Sequence, residues 1–254
     1  MSDPLLSIRN VTKIFGGLVA VDNVSIDVRR GEVVGLLGDN GAGKSTLIKC
    51  VSGVYQQEEG EVVFDGAPVE FASPMDARRV GIETIYQDLA LANNLDVGAN
   101  IFLGREVKKR RFGGILQTLD DRLMLEESRH TLESLQIRFP TLAEPIENLS
   151  GGQRQAVAIA RAVYWDAKLM IMDEPTNNLG VPEQHKVLEL IRTLKTRGVP
   201  VILITHILPD VFAVTDRVIV MRRGRKVAEK ITARTNTEEL VQYMVGARED
   251  APAV

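Results

Sequence analysis

Two stretches near the start of the chain alternate apolar and polar side chains, over residues 6–11 and 24–28. A two-residue period is typical of strands that bury one face, so the pattern predicts an antiparallel β layer. A continuous apolar run over 33–37 follows, which is the pattern of a strand buried on both faces. A glycine-rich segment and a helix over about 44–52 are expected next.

The pattern becomes helical between residues 88 and 164. Within that stretch, residues 121–135 carry leucines among charges at helical spacing; they are Leu123, Leu125, Leu132 and Leu135. We therefore predict an inserted helical lobe over 88–164.

After the lobe, two apolar strands over 169–172 and 201–205 flank a helical stretch over 182–197. This βαβ order is typical of a parallel sheet. Residues 218–221 and 226–228 predict a closing strand and a hairpin, and residues 237–245 predict a helix, after which 247–254 are expected to fray. The predicted fold is a single α/β domain whose β layer and parallel-sheet core span 1–87 and 165–254.

Composition narrows the class of partner. The chain of 254 residues has a net charge of −3, with both signs mixed along it, which disfavours nucleic acid as the main partner. One cysteine and three histidines provide neither a disulfide nor a zinc cluster, so a reducing compartment is expected. No run of ~20 apolar residues and no basic, apolar leader is found, which predicts a soluble chain.

The glycine-rich segment over 38–46 reads Gly-Asp-Asn-Gly-Ala-Gly-Lys-Ser-Thr, which matches the pattern G-x-x-x-x-G-K-[ST] between a strand and a helix. Glycines let the backbone wrap a phosphate, and the helix N-terminus supplies amide donors. Lys44 is expected to reach the β- and γ-phosphates and Ser45 to bind Mg²⁺. The alternative is a turn with an exposed lysine. The predicted contacts to the nucleotide here are Gly38, Asn40, Gly41, Gly43, Lys44, Ser45 and Thr46.

Two adjacent carboxylates, Asp173 and Glu174, end the apolar strand over 169–172. We expect Asp173 to hold Mg²⁺ and Glu174 to act as the general base toward a water in line with the γ-phosphate. On its own this pair would be interpreted as a solvated strand end. The phosphate loop makes the catalytic interpretation the stronger one.

A second glycine pair distinguishes this chain from other phosphate-loop proteins. Residues 149–153 read Leu-Ser-Gly-Gly-Gln before an apolar helical run. Ser150 is suited to cap that helix, and Gly151 and Gly152 leave amide donors at its positive end. The segment resembles the signature of the ABC ATPase family. The resemblance implies that Ser150, Gly151, Gly152 and Gln153 close on the ATP bound by a second copy of the chain, so that two ATP sites are shared in a homodimer.

Other positions resemble the family in order along the chain. Gln87 resembles the glutamine that touches Mg²⁺ or the water, and His206 resembles the switch histidine at the γ-phosphate, although an isolated histidine is more often a polar strand end. Phe15 is the candidate to stack on adenine, with a core phenylalanine as its alternative. One position departs: Gly180 stands where the family usually has an aspartate, which puts communication between the two sites in doubt.

The stretches over 88–97 and 100–106 look like the ATPases of importers for ribose, xylose, fructose and similar monosaccharides, as does the glycine at 180. The resemblance implies two membrane permease subunits and a separate sugar-binding protein, with this chain at the cytoplasmic face of a bacterial inner membrane. The alternatives are a soluble assembly or regulatory ATPase and a nucleotide-dependent scaffold that barely hydrolyses ATP.

The basic run over 108–111 is the one conspicuous charge block. We expect a solvated loop there, with a contact to lipid headgroups or to a membrane subunit as the alternative.

Overall fold

The computed structural model describes residues 3–111 and 116–248. In chain order the strands are β1 (Leu6–Phe15), β2 (Leu18–Val28), β3 (Val33–Leu37), β4 (Glu59–Phe64), β5 (Ala67–Val69), β6 (Ile82–Ile85), β7 (Lys108–Arg111), β8 (Leu116–Leu119), β9 (Leu169–Asp173), β10 (Val201–Ile204), β11 (Arg217–Arg222) and β12 (Arg225–Ile231). The helices are α1 (Lys44–Val51), α2 (Pro74–Val80), α3 (Val97–Phe102), α4 (Asp121–Ser134), α5 (Gly151–Tyr164), α6 (Val181–Thr196), α7 (Leu208–Val214) and α8 (Thr237–Val245).

The chain forms two compact units. The larger comprises Met1–Gln87, Lys168–Pro175 and Ile191–Val254, and the smaller comprises Asp88–Ala167 and Thr176–Leu190. The smaller unit thus contains the predicted lobe over 88–164 and, in addition, residues 176–190, which come much later in the chain.

A six-stranded sheet of order β12-β11-β3-β10-β9-β6 forms the centre of the larger unit. Its strands are parallel except for β12, which pairs antiparallel with β11. The side chains of β3 and β10 are buried throughout, as their continuous apolar sequence predicts. The predicted α/β fold with a parallel-sheet core is confirmed.

A second, antiparallel sheet of order β2-β1-β4-β5 provides the predicted β layer. Alternation in β2 buries Val24, Ile26 and Val28 and exposes Asp27. These residues share one hydrophobic core with α1, through Leu47 among others, and with strands of the parallel sheet. The core therefore holds α1 and the loop before it between the two sheets.

The smaller unit packs α3, α4 and α5 against one another. On α4 the buried side is formed by Met124, Ser128, Thr131 and Leu132. Two of the leucines whose spacing predicted this helix, Leu123 and Leu125, are 39% and 38% exposed, so the buried side of α4 is only partly formed by its leucines.

The basic run over 108–111 is a strand rather than the predicted loop. β7 pairs antiparallel with β8, so the lobe contains a hairpin as well as helices. The ammonium group of Lys109 lies 3.2 Å from a carboxylate oxygen of Asp120, which offsets part of the charge that made the run look solvated. The expected fraying at 247–254 concerns residues of which 249–254 lie outside the described part of the chain.

Candidate active site

Four predicted site segments follow four neighbouring strands of the parallel sheet. The glycine-rich loop follows β3, His206 follows β10, Asp173 and Glu174 end β9, and Gln87 follows β6. In the sheet these strands have the order β3-β10-β9-β6. The carboxyl ends of parallel strands lie at one edge, where open α/β sheets bind their ligands. All these residues belong to the larger unit.

Glycine is required at both ends of the phosphate loop. Gly38 has φ +148°, and a Cβ atom there would lie 2.3 Å from the carbonyl oxygen of Met221. Gly43, with φ +98°, directly precedes α1, and its Cβ would lie 2.6 Å from the carbonyl oxygen of Ala20. Side chains at these positions would displace the loop from the start of α1, which supplies the amide donors for an anion.

Lys44 is buried, with 7% of its surface exposed, and its ammonium group donates to the carbonyl oxygens of Gly38 at 2.6 Å and Asp39 at 3.0 Å. Burial lowers the pKa of Lys44, and the carboxylates of Glu174 and Asp173 oppose that shift. The cation is therefore held beside the carboxylates at the end of β9.

Asp173 accepts a hydrogen bond from the hydroxyl group of Ser45. Burial raises the pKa of Asp173, the carboxylate of Glu174 raises it further, and Lys44, Lys49 and the Ser45 hydrogen bond act in the opposite direction. Burial and the neighbouring carboxylate therefore disfavour the charged form of Asp173, and a cation beside it would favour that form. The carboxylate of Asp173 and the hydroxyl group of Ser45 are oxygen donors that fit Mg²⁺, which protein sites bind through one or two side-chain oxygens together with phosphates and water.

Within the described part of the chain, no group of three or more histidine, cysteine, aspartate and glutamate side chains has a metal-binding arrangement. The predicted ligands Ser45, Asp173 and Gln87 include only one such residue, so a metal here would need oxygens from a nucleotide. Gln87 is exposed after β6, and the residue before it is fixed because the Tyr86 and Ser52 hydroxyl groups lie 2.9 Å apart.

Glu174 has a left-handed backbone, with φ +50°. Its amide donates to the carbonyl oxygen of Ile204 at 2.9 Å, and its carboxylate oxygen Oε1 lies 3.0 Å from Nδ1 of His206. A left-handed non-glycine residue has an unfavourable backbone energy and is found preferentially at functional sites. The conformation brings the two predicted catalytic side chains together.

Phe15 lies at the end of β1 with 40% of its surface exposed. Its ring meets that of Tyr55 edge to face, with centroids 5.1 Å apart, and the Lys13 ammonium group lies 5.1 Å from its centroid. Phe15 is therefore not the core residue that the alternative interpretation required. Its role toward adenine stays a prediction.

The signature segment belongs to the smaller unit. Ser150 caps α5 as predicted: its Oγ accepts from the amide of Gln153 at 3.3 Å, and Oε1 of Gln153 accepts from the amide of Ser150 at 2.8 Å. This capping box uses the Gln153 side chain and leaves the Gly151 and Gly152 amides in the first turn, where a helix offers them no carbonyl partner.

The two signature glycines also leave room for the side chains of Leu179 and Glu183. A Cβ atom on Gly151 would lie 2.5 Å from Cδ2 of Leu179, and one on Gly152 would lie 2.9 Å from Cβ and Cγ of Glu183. One on Gly180, the position that departs from the family pattern, would lie 2.8 Å from Oε2 of Glu183. The Glu183 side chain thus fills the space beside both Gly152 and Gly180.

Sequence reasoning missed Glu183, and it also missed Arg161 of α5, which donates to main-chain carbonyls just after Gln87. Glu183 could have been noticed as an acidic residue in the first turn of a predicted helix. Nothing in the sequence pattern indicates the partners of Arg161, because main-chain carbonyls carry no sequence signature.

Comparison with known proteins agrees with the family resemblance of the sequence motifs. A family model described as ABC transporter matches residues 21–177. The chain is 53% identical to a xylose/arabinose import ATP-binding protein of Sulfolobus acidocaldarius, covering 96% of this chain and 94% of the relative. It is 43% identical to a fructose import ATP-binding protein of Rhizobium meliloti, covering 97% and 96%.

A ribose import ATP-binding protein of Rubrobacter xylanophilus is 45% identical over 96% of this chain, which spans only 47% of that longer relative. Among solved structures, an ATP-binding cassette of an ABC transporter superposes with a TM-score of 0.83 at 27% identity, covering 95% of this chain and 99% of that one. A nucleotide-free cassette from an ABC transporter gives 0.80 at 27% identity, covering 96% and 95%.

Proposed function

This chain belongs to the ABC transporter family of ATP-binding proteins, and we propose that it is the ATP-hydrolysing subunit of a monosaccharide importer. One observation carries the catalytic part of the proposal: Glu174 and His206 are in contact at the same sheet edge as Lys44 and Asp173. The sugar part rests on the xylose/arabinose, fructose and ribose import proteins that the chain is similar to.

We infer that the loop over 38–46 binds the ATP phosphates through its amides and through Lys44, and that Phe15 stacks on adenine. Ser45 and Asp173 are the residues that would hold Mg²⁺, with Gln87 reaching the ion or the attacking water. Bound there, Mg²⁺ would neutralise charge on the phosphate oxygens.

In the proposed reaction Glu174 orients a water and accepts its proton while the water oxygen bonds to the γ-phosphorus and the bond to ADP breaks. His206 holds the Glu174 carboxylate through the contact between Nδ1 and Oε1. Lys44 keeps its positive charge close to the phosphate oxygens throughout. These groups come from one chain, which supplies the base, its orienting partner and the cation.

We infer that the signature segment completes the ATP site of a second copy. The capped start of α5 presents the Gly151 and Gly152 amides to an anion. One phosphate loop and one signature segment per chain support a homodimer with two shared sites. Binding of ATP would then close the dimer, and hydrolysis would reopen it.

Coupling to transport requires partners outside this chain. Over the described residues, no helix is both long and apolar enough to cross a membrane. We propose that two permease subunits hold the dimer at the cytoplasmic face of the plasma membrane, that the unit containing 88–167 docks on them, and that a separate sugar-binding protein delivers the solute.

The test uses the tagged Glu174→Gln variant, purified with ATP from detergent-solubilised membranes of its own source. If Glu174 is the general base, turnover falls by about 10²–10⁴-fold while ATP binding persists, so that the ATP-bound assembly accumulates. Mass spectrometry should then find a polytopic permease and a sugar-binding protein.

The matched control adds Lys44→Ala, which removes phosphate binding and should release the ATP-dependent dimer. Recovery of soluble partners alone would instead favour an assembly or regulatory ATPase. Retained turnover in the Glu174→Gln variant would rule out the assigned base, whichever partners are found.

A further inference from the structure

We propose that Arg161 is a positioning residue for hydrolysis: it ties the segment that follows Gln87 to the signature helix α5. The inference rests on the proposed function, because it assigns the segment's placement a role in ATP turnover. Arg161 lies near the end of α5, ten positions after Gly151, which corresponds to about 15 Å along the helix axis.

The guanidinium group of Arg161 makes two hydrogen bonds to consecutive carbonyl groups. Nη2 donates to the oxygen of Leu89 and Nη1 to that of Ala90, both at 3.0 Å. Leu89 is the second residue after Gln87. Two donors in a rigid planar group fix both the position and the orientation of this piece of backbone, which one ammonium group would not do.

The backbone that Arg161 holds has an unusual conformation. Ala90 has φ +49°, in the left-handed region that side chains disfavour, and its amide lies 3.3 Å from Oδ1 of Asp88. An alanine keeps such a conformation only where its surroundings determine it. The paired bonds from Arg161 provide that determination from the side of α5.

Asn100, at the other end of the segment, plays a similar part. This fully buried side chain accepts from the amide of Ala92 at 2.8 Å and donates to the carbonyl oxygens of Ala92, Leu95 and Asp96 at 2.9–3.2 Å. The segment over 88–95 contains neither helix nor strand. Side chains of α3 and α5 satisfy its main-chain polar groups, so a displacement of those helices displaces the segment.

The end of α5 is itself firmly packed. The indole nitrogen of Trp165 donates to the carbonyl oxygen of Ile101 at 3.1 Å, and the ring of Phe102 lies 4.6 Å from that of Tyr164. At the other end, the capping box fixes Ser150 and Gln153. Helix α5 therefore joins the signature segment at its start to the paired hydrogen bonds from Arg161 at its end, which we call the clamp. We infer that a change in the clamp alters the position of Gln87 during the reaction.

A double-mutant cycle between Arg161 and Gln87 tests this inference. We expect Arg161→Ala to lower kcat for ATP by about tenfold, the size of a typical coupling between sites. The KM for ATP should stay within about twofold, because the phosphate loop is untouched. In a Gln87→Ala background, Arg161→Ala should have little further effect, because its route of action is already gone.

Arg192→Ala is the matched control, since Nη2 of Arg192 also donates to a main-chain carbonyl, that of Ala213, at 2.9 Å. The fold-reductions in kcat caused by Arg192→Ala and by Gln87→Ala should multiply in the double variant. Arg161→Lys retains the charge but not the planar pair of donors, so it serves as the test variant if Arg161→Ala fails to fold. Thermal unfolding of each variant verifies folding.

If the effects of Arg161 and Gln87 multiply as in the control, Arg161 supports the fold only and the inference is wrong. An unmodified protein without ATP turnover, alone or with its permease, would instead contradict the proposed function. The two failures are thereby distinguished.

Discussion

Nδ1 of His206 lies 3.0 Å from Oε1 of Glu174, across two neighbouring parallel strands. In the register of β9 and β10, Asp173 is paired with Ile204, and the amide of Glu174 donates to the carbonyl oxygen of Ile204. The left-handed backbone of Glu174 then directs its carboxylate toward the histidine. The pair is therefore positioned by strand register and one unusual backbone angle.

We expect His206→Ala to lower kcat by about 10²-fold, because Glu174, the proposed general base, loses the group that orients it. In a Glu174→Gln background the same change should have little further effect, since the two residues act as a unit. Single-turnover hydrolysis measures both. A further 10²-fold loss in the double variant would show that His206 acts independently of Glu174.

Asp173→Asn should stabilise the nucleotide-free protein at neutral pH. Because burial raises the pKa of Asp173, the folded protein retains this proton to higher pH than the unfolded chain does. Stability is therefore lost as pH rises from the ordinary carboxyl pKa through the raised value. The gain from the asparagine should be full above the raised pKa and vanish near pH 3, where unfolded carboxyls are protonated. Melting temperatures across this range measure it.

Glu58→Gln is the control of opposite sign. Hydrogen bonds from Lys13 and from the amide of Ile14 lower the pKa of Glu58. Its contribution to stability is present above the ordinary carboxyl pKa and is lost as pH falls through the lowered value. This variant should lower the melting temperature at neutral pH. Equal shifts of the same sign in the two variants would contradict the assignment for Asp173.

Phe15→Ala should weaken ATP binding by about tenfold, the equivalent of ~1.4 kcal/mol for a lost stacking contact. Phe15→Trp should retain the affinity. Binding of inorganic triphosphate, which has no base, should be the same for all three proteins. Equal weakening of ATP and triphosphate would show instead that Phe15 acts through the shape of the loop, and titration calorimetry separates the two outcomes.

Gly152→Ala should destabilise the protein by about 1–3 kcal/mol, as overpacking does, because the new methyl group would meet Cβ and Cγ of Glu183 at 2.9 Å. Adding Glu183→Gly removes both atoms and should recover part of the loss. Gly17→Ala is the control, since a Cβ there meets nothing within 4 Å. Urea unfolding that shows no recovery in the double variant would contradict this packing account.

The fold and the family were predictable because their signals are local. The fully buried strands β3 and β10 are continuous apolar runs, and the phosphate loop and the segment over 149–153 are each recognised within a few residues. The family relationship expected from them is confirmed by the close relatives. The approach of Lys44, Asp173, Glu174 and His206 to one another depends on the order of the parallel strands in the sheet, and the contact between Glu174 and His206 depends in addition on the left-handed backbone of Glu174.

Other features depend on long-range geometry. No secondary structure was predicted over 53–87, although the stretch contains three short strands and α2, because each element is too short to establish a period. The basic run was expected to be a solvated loop because its side chains are charged. The pairing of β7 with β8 is made by main-chain hydrogen bonds, which charged side chains do not indicate. The hydrogen bonds from Arg161 could not be predicted for the same reason, because their acceptors are main-chain carbonyl groups.

Lys44 bridges the carbonyl groups of its own loop at Gly38 and Asp39, and this contact has a thermodynamic consequence. The loop is preorganised, so an incoming triphosphate does not have to order a floppy chain, and little conformational entropy is lost on binding. The ammonium group has three N–H donors and uses two of them within the loop, so a phosphate oxygen accepts from the third without displacing those bonds. The loop therefore keeps its own hydrogen bonds while it adds a contact to the phosphate.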